Sequence, residues 1–289
     1  MAERVGFVGL GTMGAPMAGH LLAGGVDLAV FCRRPEQARD WAARGATVAP
    51  TLAELAGIAD LVVTCVTDHA ALEEVLDGLL ENGWPGGLLV DCSTISPDQV
   101  RASAARLAAA GASMVDAPVT GGEVGAQKAA LTIMCGGTEA DVARARPVLA
   151  LMGRLIEHMG PLGAGQVTKA CNQIMVTINL IGAIEASALA RAGGVDPARM
   201  REVLLSGSGA SVALERVLPR RHADGPPGFR LELMHKDIGL AASTARAAGL
   251  VNPGTQTAAM MLQAAMNRNL GKLDFAALGA LYDALDPPA

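Results

Sequence analysis

The stretch VGFVGLGTMGAPMAGHLL (residues 5–22) constrains this chain more than any other. A short apolar run meets three glycines, Gly9, Gly11 and Gly14, and then a second apolar run with helical periodicity. A G-x-G-x-x-G by itself says little, but between a strand and a helix it marks a turn built for a pyrophosphate. Gly9 permits the tight turn, Gly11 lets the backbone approach the phosphates, and Gly14 allows close helix–strand packing. The N–H groups at the start of the helix then face the anion. Leu10, Thr12 and Met13 complete the loop. A chain that opens this way folds as a β-α-β unit around a parallel sheet.

The second strand ends in LAVFCRRPEQ (28–37). A site for NAD(H) carries an acidic residue about 20 positions past the glycines, bonded to the ribose 2′-hydroxyl. Here Cys32, Arg33 and Arg34 stand in that place, and arginine suits a 2′-phosphate by bidentate bonding and by stacking on adenine. The expected cofactor is NADP(H) in preference to NAD(H).

Strand-like and helix-like segments alternate through the first half. Residues 5–10, 28–32, 61–66, 88–93 and 112–118 read as strands, with 130–137 a further candidate. Residues 14–24, 35–44, 69–80, 97–110 and 139–151 read as helices. After residue 160 strand signals stop, and helices are expected at 165–192, 197–205, 209–222, 230–248, 253–268 and 274–284, ahead of a final DPPA tail. GPLGAG (160–165) marks the boundary. The expected architecture is an α/β Rossmann-type domain over 1–162 and an all-α domain over 163–289, linked by a long helix.

Composition narrows the function. The chain has 289 residues, 51% of them hydrophobic, with a net charge of −5 and no basic run, which argues against nucleic acid as a partner. Five scattered cysteines without a CxxC pair, and no signal-peptide layout at MAERVGFVGLG, point to the cytoplasm. The uncharged stretch 170–184 has 15 residues and four polar ones, short of a membrane span, so no membrane association is expected. The histidines lack ligand spacing, and no metal site is expected.

Three further segments carry chemistry. DCSTISP (91–97) puts Ser93 and Thr94 at a strand's C-terminal end, the edge where open α/β sheets bind ligands; Ser96 before Pro97 reads equally as a helix cap. Thr120, Gly121 and Gly122 follow another strand and offer two successive glycine N–H groups beside a hydroxyl, an anion nest. In GAGQVTKACNQ (163–173), Lys169, Asn172 and Gln173 lie at i, i+3 and i+4, hence on one helix face. Lysine is scarce, with 4 against 19 arginines, and a cation near a helix N-terminus opposes the helix dipole, so a purely structural role for Lys169 is disfavoured. A lysine ammonium can bond a carbonyl oxygen, stabilise the oxyanion and deliver its proton, while the two amides orient lysine and substrate. Lys169 is expected to face a cleft between the domains. Lys236 and Asp237, adjacent in a helix, are expected to point to different partners.

Taken together, GFVGLGTMGAPMAGHLL, DCSTISP, DAPVTGGEVGAQKAALTIMCGG, GAGQVTKACNQ and GFRLELMHKDIGLA resemble the β-hydroxyacid dehydrogenase family over essentially the whole chain. The resemblance implies that Lys169 is the catalytic lysine. It also implies that Thr120, Gly121 and Gly122 hold a substrate carboxylate, with Thr120 in place of a usual serine. Asn172 and Gln173 take the place of the asparagines that follow the lysine. Thr94 and Lys236 match positions at the nicotinamide end of the cofactor, and Val66 and Thr67 match a pair lining the same cleft. The NQ form and the PGFRLEL stretch (227–233) look most like the tartronate semialdehyde (2-hydroxy-3-oxopropionate) reductase branch. Cys32-Arg33-Arg34 looks like the NADP-type sequence of the glyoxylate and succinic semialdehyde reductases.

The implied activity interconverts a small carboxylate-bearing aldehyde and its hydroxy acid, with 3-hydroxyisobutyrate dehydrogenase or glyoxylate/succinic semialdehyde reductase as alternatives. An imine reductase and a non-catalytic NADP-binding sensor are more distant readings. A Tyr-xxx-Lys dehydrogenase is excluded, since the one tyrosine, Tyr282, has no lysine four residues on. A helix over 166–192 would span about 40 Å and is apolar on most faces, more than one small domain covers. At least a dimer is therefore expected, and the family resemblance implies a homodimer or homotetramer.

Overall fold

A computed structural model describes residues 3–222 and 227–283. The first part runs β1 (Val5–Val8), α1 (Gly14–Ala23), β2 (Leu28–Phe31), α2 (Pro35–Ala43), β3 (Thr47–Ala49), α3 (Leu52–Ile58), β4 (Leu61–Thr64), α4 (His69–Leu80), β5 (Leu88–Asp91), α5 (Pro97–Ala109) and β6 (Ser113–Asp116). It continues with β7 (Val119–Thr120), α6 (Gly122–Gln127), β8 (Leu131–Gly136), α7 (Glu139–Leu149) and β9 (Gly153–Gly160). Then come α8 (Ala164–Ala192), α9 (Pro197–Leu205), α10 (Leu231–Ala247), α11 (Pro253–Asn267) and α12 (Ala280–Asp283). A π-helical turn (Ala213–Val217) and two 3-10 turns (Leu218–His222, Phe275–Gly279) fill the gaps. The expected end of the last helix at 284 and the DPPA tail lie outside the described residues.

The sheet order is β3-β2-β1-β4-β5-β6-β8-β7, with β9 also paired to β8. The strands β3 to β6 are all parallel, whereas β8 runs antiparallel to β6 and β7. The central strands are apolar along most of their length because both faces are covered, with the buried polar residues Thr64, Asp91 and Asp116 at the ends of β4, β5 and β6. In β4, Leu61 and Val63 enter one core and Val62 the other; in β5, Leu88 and Val90 oppose Leu89 in the same way. The helices begin where their caps allow. Asp68 caps α4, Ser96 makes a capping box with Gln99 at α5, and Thr138 caps α7, each accepting a backbone N–H. Ser96 is thus the helix cap of the two hydroxyls flanking Ile95.

The chain divides into two compact units, residues 1–169 and 170–289, and the division falls inside α8. The second unit packs Leu180 and Ile184 of α8 with Met234 and Ile238 of α10, Leu262 of α11 and Phe275. The stretch of 15 uncharged residues understated the apolar length of α8. The helix has 29 residues and a window of mean hydropathy 1.5, long and apolar enough by composition to cross a membrane, with 44% of that window buried in the protein. Its packed face belongs to the core of the helical unit.

Candidate active site

At the C-terminal ends of β1, β2 and β4 lies a cavity of about 530 Å³. Gly9, Leu10, Gly11, Cys32, Arg33, Arg34, Val66 and Thr67 all line it. Gly9 sits at φ +98°, and a Cβ there would lie 2.2 Å from the Cys65 carbonyl oxygen. A Cβ on Gly14 would lie 2.0 Å from the Gly9 carbonyl oxygen, so this glycine holds α1 against the turn. A Cβ on Gly11 would meet nothing within 4 Å: the space in front of it is open. Two glycines required by packing, a third facing open space and a helix N-terminus behind them fit a dinucleotide pyrophosphate. Gln37 of α2 steadies the loop by donating to the Leu10 carbonyl (3.2 Å). Thr12 is exposed and Met13 packs on the core. Cys65 also lines the cavity; burial, with the nearby Asp91, pushes its thiol up to about 12.

Beside this cavity a chain of hydrogen bonds ties the remaining sheet-edge loops together. The Val66 N–H donates to Ser93 Oγ (2.9 Å). Gln166, 2% exposed, brackets Thr94: its Nε2 donates to the Ser93 carbonyl (2.8 Å), and its Oε1 accepts from the Ile95 N–H (3.3 Å). At the end of β6, Asp116 is fully buried, and its two carboxylate oxygens accept the N–H groups of Gly163 (2.8 Å) and Gln166 (2.9 Å). A strand residue thereby caps the N-terminus of α8 across 47 positions of sequence. Gly165 and Gly136 make room for it, since a Cβ on either would lie within 2.8 Å of the carboxylate.

One turn past Gln166, Lys169 is 7% exposed and its Nζ donates to the Val119 carbonyl at 2.8 Å. Val119 directly precedes Thr120, Gly121 and Gly122. Gly121 and Gly122 have positive φ (129° and 61°), and a Cβ on Gly122 would meet nothing within 4 Å. The lysine and the glycine pair therefore share one corner. A buried ammonium with a nearby nest of N–H donors can hold a carboxylate and act on a carbonyl beside it.

Asn172, Gln173 and Lys236 belong to the helical unit. Asn172 Nδ2 donates to Gln173 Oε1 (2.8 Å), and Gln173 Nε2 donates to the buried Asp237 carboxylate (2.6 Å). The two amides expected to orient lysine and substrate are thus bonded to each other and to α10. Lys236 and Asp237 pair with each other, and Asp237 also takes the separate partner expected of it, accepting from Gln173 through Oδ2. Lys236 Nζ lies 3.1 Å from Asp237 Oδ1.

Residues 4–160 match the NAD-binding domain of 6-phosphogluconate dehydrogenase, and residues 163–282 match the NAD-binding region of NADP-dependent 3-hydroxyisobutyrate dehydrogenase. The mitochondrial 3-hydroxyisobutyrate dehydrogenase of Drosophila melanogaster is 38% identical, over 98% of this chain and 89% of that protein. The 2-hydroxy-3-oxopropionate reductase of Escherichia coli is 36% identical, over 95% of both. The chain belongs to the β-hydroxyacid dehydrogenase family. The solved 3-hydroxyisobutyrate dehydrogenase of Mycobacterium tuberculosis with L-serine superposes with a TM-score of 0.90, at 34% identity, over 97% of this chain and 99% of that one. This family member is accordingly an NAD(P)-dependent oxidoreductase acting on CH–OH donors, with a Rossmann-type first domain and a helical second one. Imine reductases at about 22% identity share its fold.

Asp116 and Gln166 escaped the sequence reading of this β-hydroxyacid dehydrogenase. Their partners lie 47 to 73 positions away. The local signals are slight: an acid closing an apolar strand, and a glutamine just after a glycine turn.

Proposed function

We propose that this β-hydroxyacid dehydrogenase reduces a small aldehyde acid of the 2-hydroxy-3-oxopropionate type with NADPH, and runs the reverse reaction on the hydroxy acid. The observation that carries the reading is the Lys169 ammonium at 2.8 Å from the Val119 carbonyl, immediately before the Thr120-Gly121-Gly122 turn. When bound, the dinucleotide supplies the hydride. Thr120 and the N–H groups of Gly121 and Gly122 hold the substrate carboxylate. Lys169 donates to the carbonyl oxygen, stabilises its developing negative charge and delivers the proton; in the reverse direction neutral Lys169 accepts the hydroxyl proton. Gln166 keeps the Thr94 loop and the Lys169 helix in one register. Asn172 and Gln173 fix the following turn through Asp237, and Lys236 serves the cofactor's nicotinamide end.

The preference for NADP(H) is supported by Arg33 and Arg34 in the cavity wall where NAD-specific sites carry an acid. The similarity to NADP-dependent 3-hydroxyisobutyrate dehydrogenase over 163–282 agrees with it. A second reading, oxidation of 3-hydroxyisobutyrate, is favoured by the 38% identical fly relative. Steady-state rates over tartronate semialdehyde, glyoxylate, succinic semialdehyde and methylmalonate semialdehyde, each with NADPH and NADH, decide. We expect the highest kcat/KM for tartronate semialdehyde with NADPH. A tenfold advantage for methylmalonate semialdehyde, or for NADH, overturns the corresponding part.

We also propose a second copy of this chain as a partner. Cys171, Met175, Ile178, Gly182 and Leu189 follow one another at three-, four- and seven-residue steps on α8, and all are exposed. That is the spacing of a helix-pairing seam.

A further inference from the structure

We propose that Glu74 of α4 is a specificity-determining residue for the cofactor: it competes with a 2′-phosphate for Arg33 and so limits the preference for the phosphorylated dinucleotide. The inference rests on the assignment of Arg33 and Arg34 to that phosphate. Both arginines line the cofactor cavity, and each already has a carboxylate partner. Arg33 lies 3.7 Å from Glu74, and Arg34 lies 3.9 Å from Glu36. The two pairs differ in kind. Glu36 follows Arg34 on the same stretch of chain, two residues on. Glu74 comes from a different wall of the same cavity, so it stands beside whatever Arg33 binds there.

Charge and exposure decide how such a pair behaves. The side chains of Arg33 and Glu74 are both 71% exposed, so their attraction is weak and screened by salt. A phosphate monoester carries close to two negative charges at neutral pH and takes a guanidinium in a bidentate grip. It therefore displaces the carboxylate from Arg33. Glu74 then remains as an unpartnered negative charge across the cavity from the phosphate, and the repulsion subtracts from binding. A cofactor without the phosphate leaves the Arg33–Glu74 pair in place and meets no such opposition. Glu74 thus acts only on the 2′-phosphorylated form, and it leaves the site open to both dinucleotides.

Calorimetric titration of the full chain with 2′,5′-ADP and with 5′-AMP tests this without turnover. Glu74→Gln keeps the side chain's size, and the position is exposed, so the variant is expected to fold. We expect it to bind 2′,5′-ADP about threefold tighter or more, to bind 5′-AMP within about 1.5-fold of the parent, and to lose most of the gain at about 0.5 M salt. Unchanged affinity for 2′,5′-ADP in Glu74→Gln, with Arg33→Ala weakening it, overturns the role of Glu74 and leaves the arginine assignment standing. If Arg33→Ala/Arg34→Ala also binds 2′,5′-ADP like the parent, the arginine assignment falls as well, and the proposal with it. Equal tightening of both nucleotides by Glu74→Gln would reveal a general charge effect and likewise overturn it.

Discussion

Gly11 and Gly14 occupy one turn and should fail differently when replaced. A Cβ at Gly14 collides with the Gly9 carbonyl at 2.0 Å, so Gly14→Ala is expected to destabilise the fold by about 1–3 kcal/mol in denaturant melts. A side chain at Gly11 enters open space. Gly11→Val should melt like the parent while losing at least about tenfold in dinucleotide affinity by titration, because the bulk stands where the backbone must approach the phosphates. Dinucleotide affinity like the parent's in a folded Gly11→Val would contradict the assignment. Asp116 makes a second prediction at this scale. Burial pushes its carboxyl above the ordinary 3.8, against the pull of the Gly163 and Gln166 N–H groups. The folded chain therefore keeps this proton to higher pH than the unfolded chain does. Stability from the group is full below about pH 4 and declines as pH rises through the raised value. Thermal melts between pH 4 and 7 should show a flatter profile for Asp116→Asn than for the parent; parallel profiles would count against it. The glycines were legible because their chemistry is local. Asp116 was not, since nothing in VDAP says that its partners begin at Gly163.

The start of α8 is where elements and site meet. Its first turn is held by Asp116, its second carries Lys169, and Gln166 between them bonds the loop after β5. Gln166→Leu leaves the Ser93 carbonyl and the Ile95 N–H without this partner. It should cost about 1–3 kcal/mol of stability. It should also lower kcat by about tenfold or more, with a smaller change in cofactor KM, because the Thr94 loop loses its register with the lysine helix. A drop in stability with unchanged kcat would reduce Gln166 to a structural residue. Elements with strong periodicity were legible in the sequence, and those decided by tertiary partners were not. The β1–α1–β2 unit and α8 follow from their motifs. The strands β3 and β7 have three and two residues, too few to show alternation. In β9, GRLIEHMG mixes Arg154, Glu157 and His158 with apolar residues, is mostly exposed, and pairs with β8. The helix expected over 209–222 resolves into a π-helical and a 3-10 turn, a change in hydrogen-bond step that an apolar pattern does not record.

For the whole molecule, the family, the Rossmann-type first unit and the helical second unit were all legible, because five motifs in order bind them into one pattern. The pairing of Gln173 with Asp237 was not, since it joins α8 to α10 across 64 positions. Assembly is a prediction at this scale. Light scattering at micromolar concentration should give a dimer or larger, and charges placed at Met175 and Ile178 should shift the mass downward while leaving the monomer folded; a monomeric parent would contradict the expected seam. The most direct test of the account is single-turnover reduction of tartronate semialdehyde by the Lys169→Ala variant, with NADPH binding measured by fluorescence on the same sample. Turnover is expected to fall by at least about a thousandfold, with NADPH affinity within about threefold of the parent. Turnover within tenfold of the parent would contradict it.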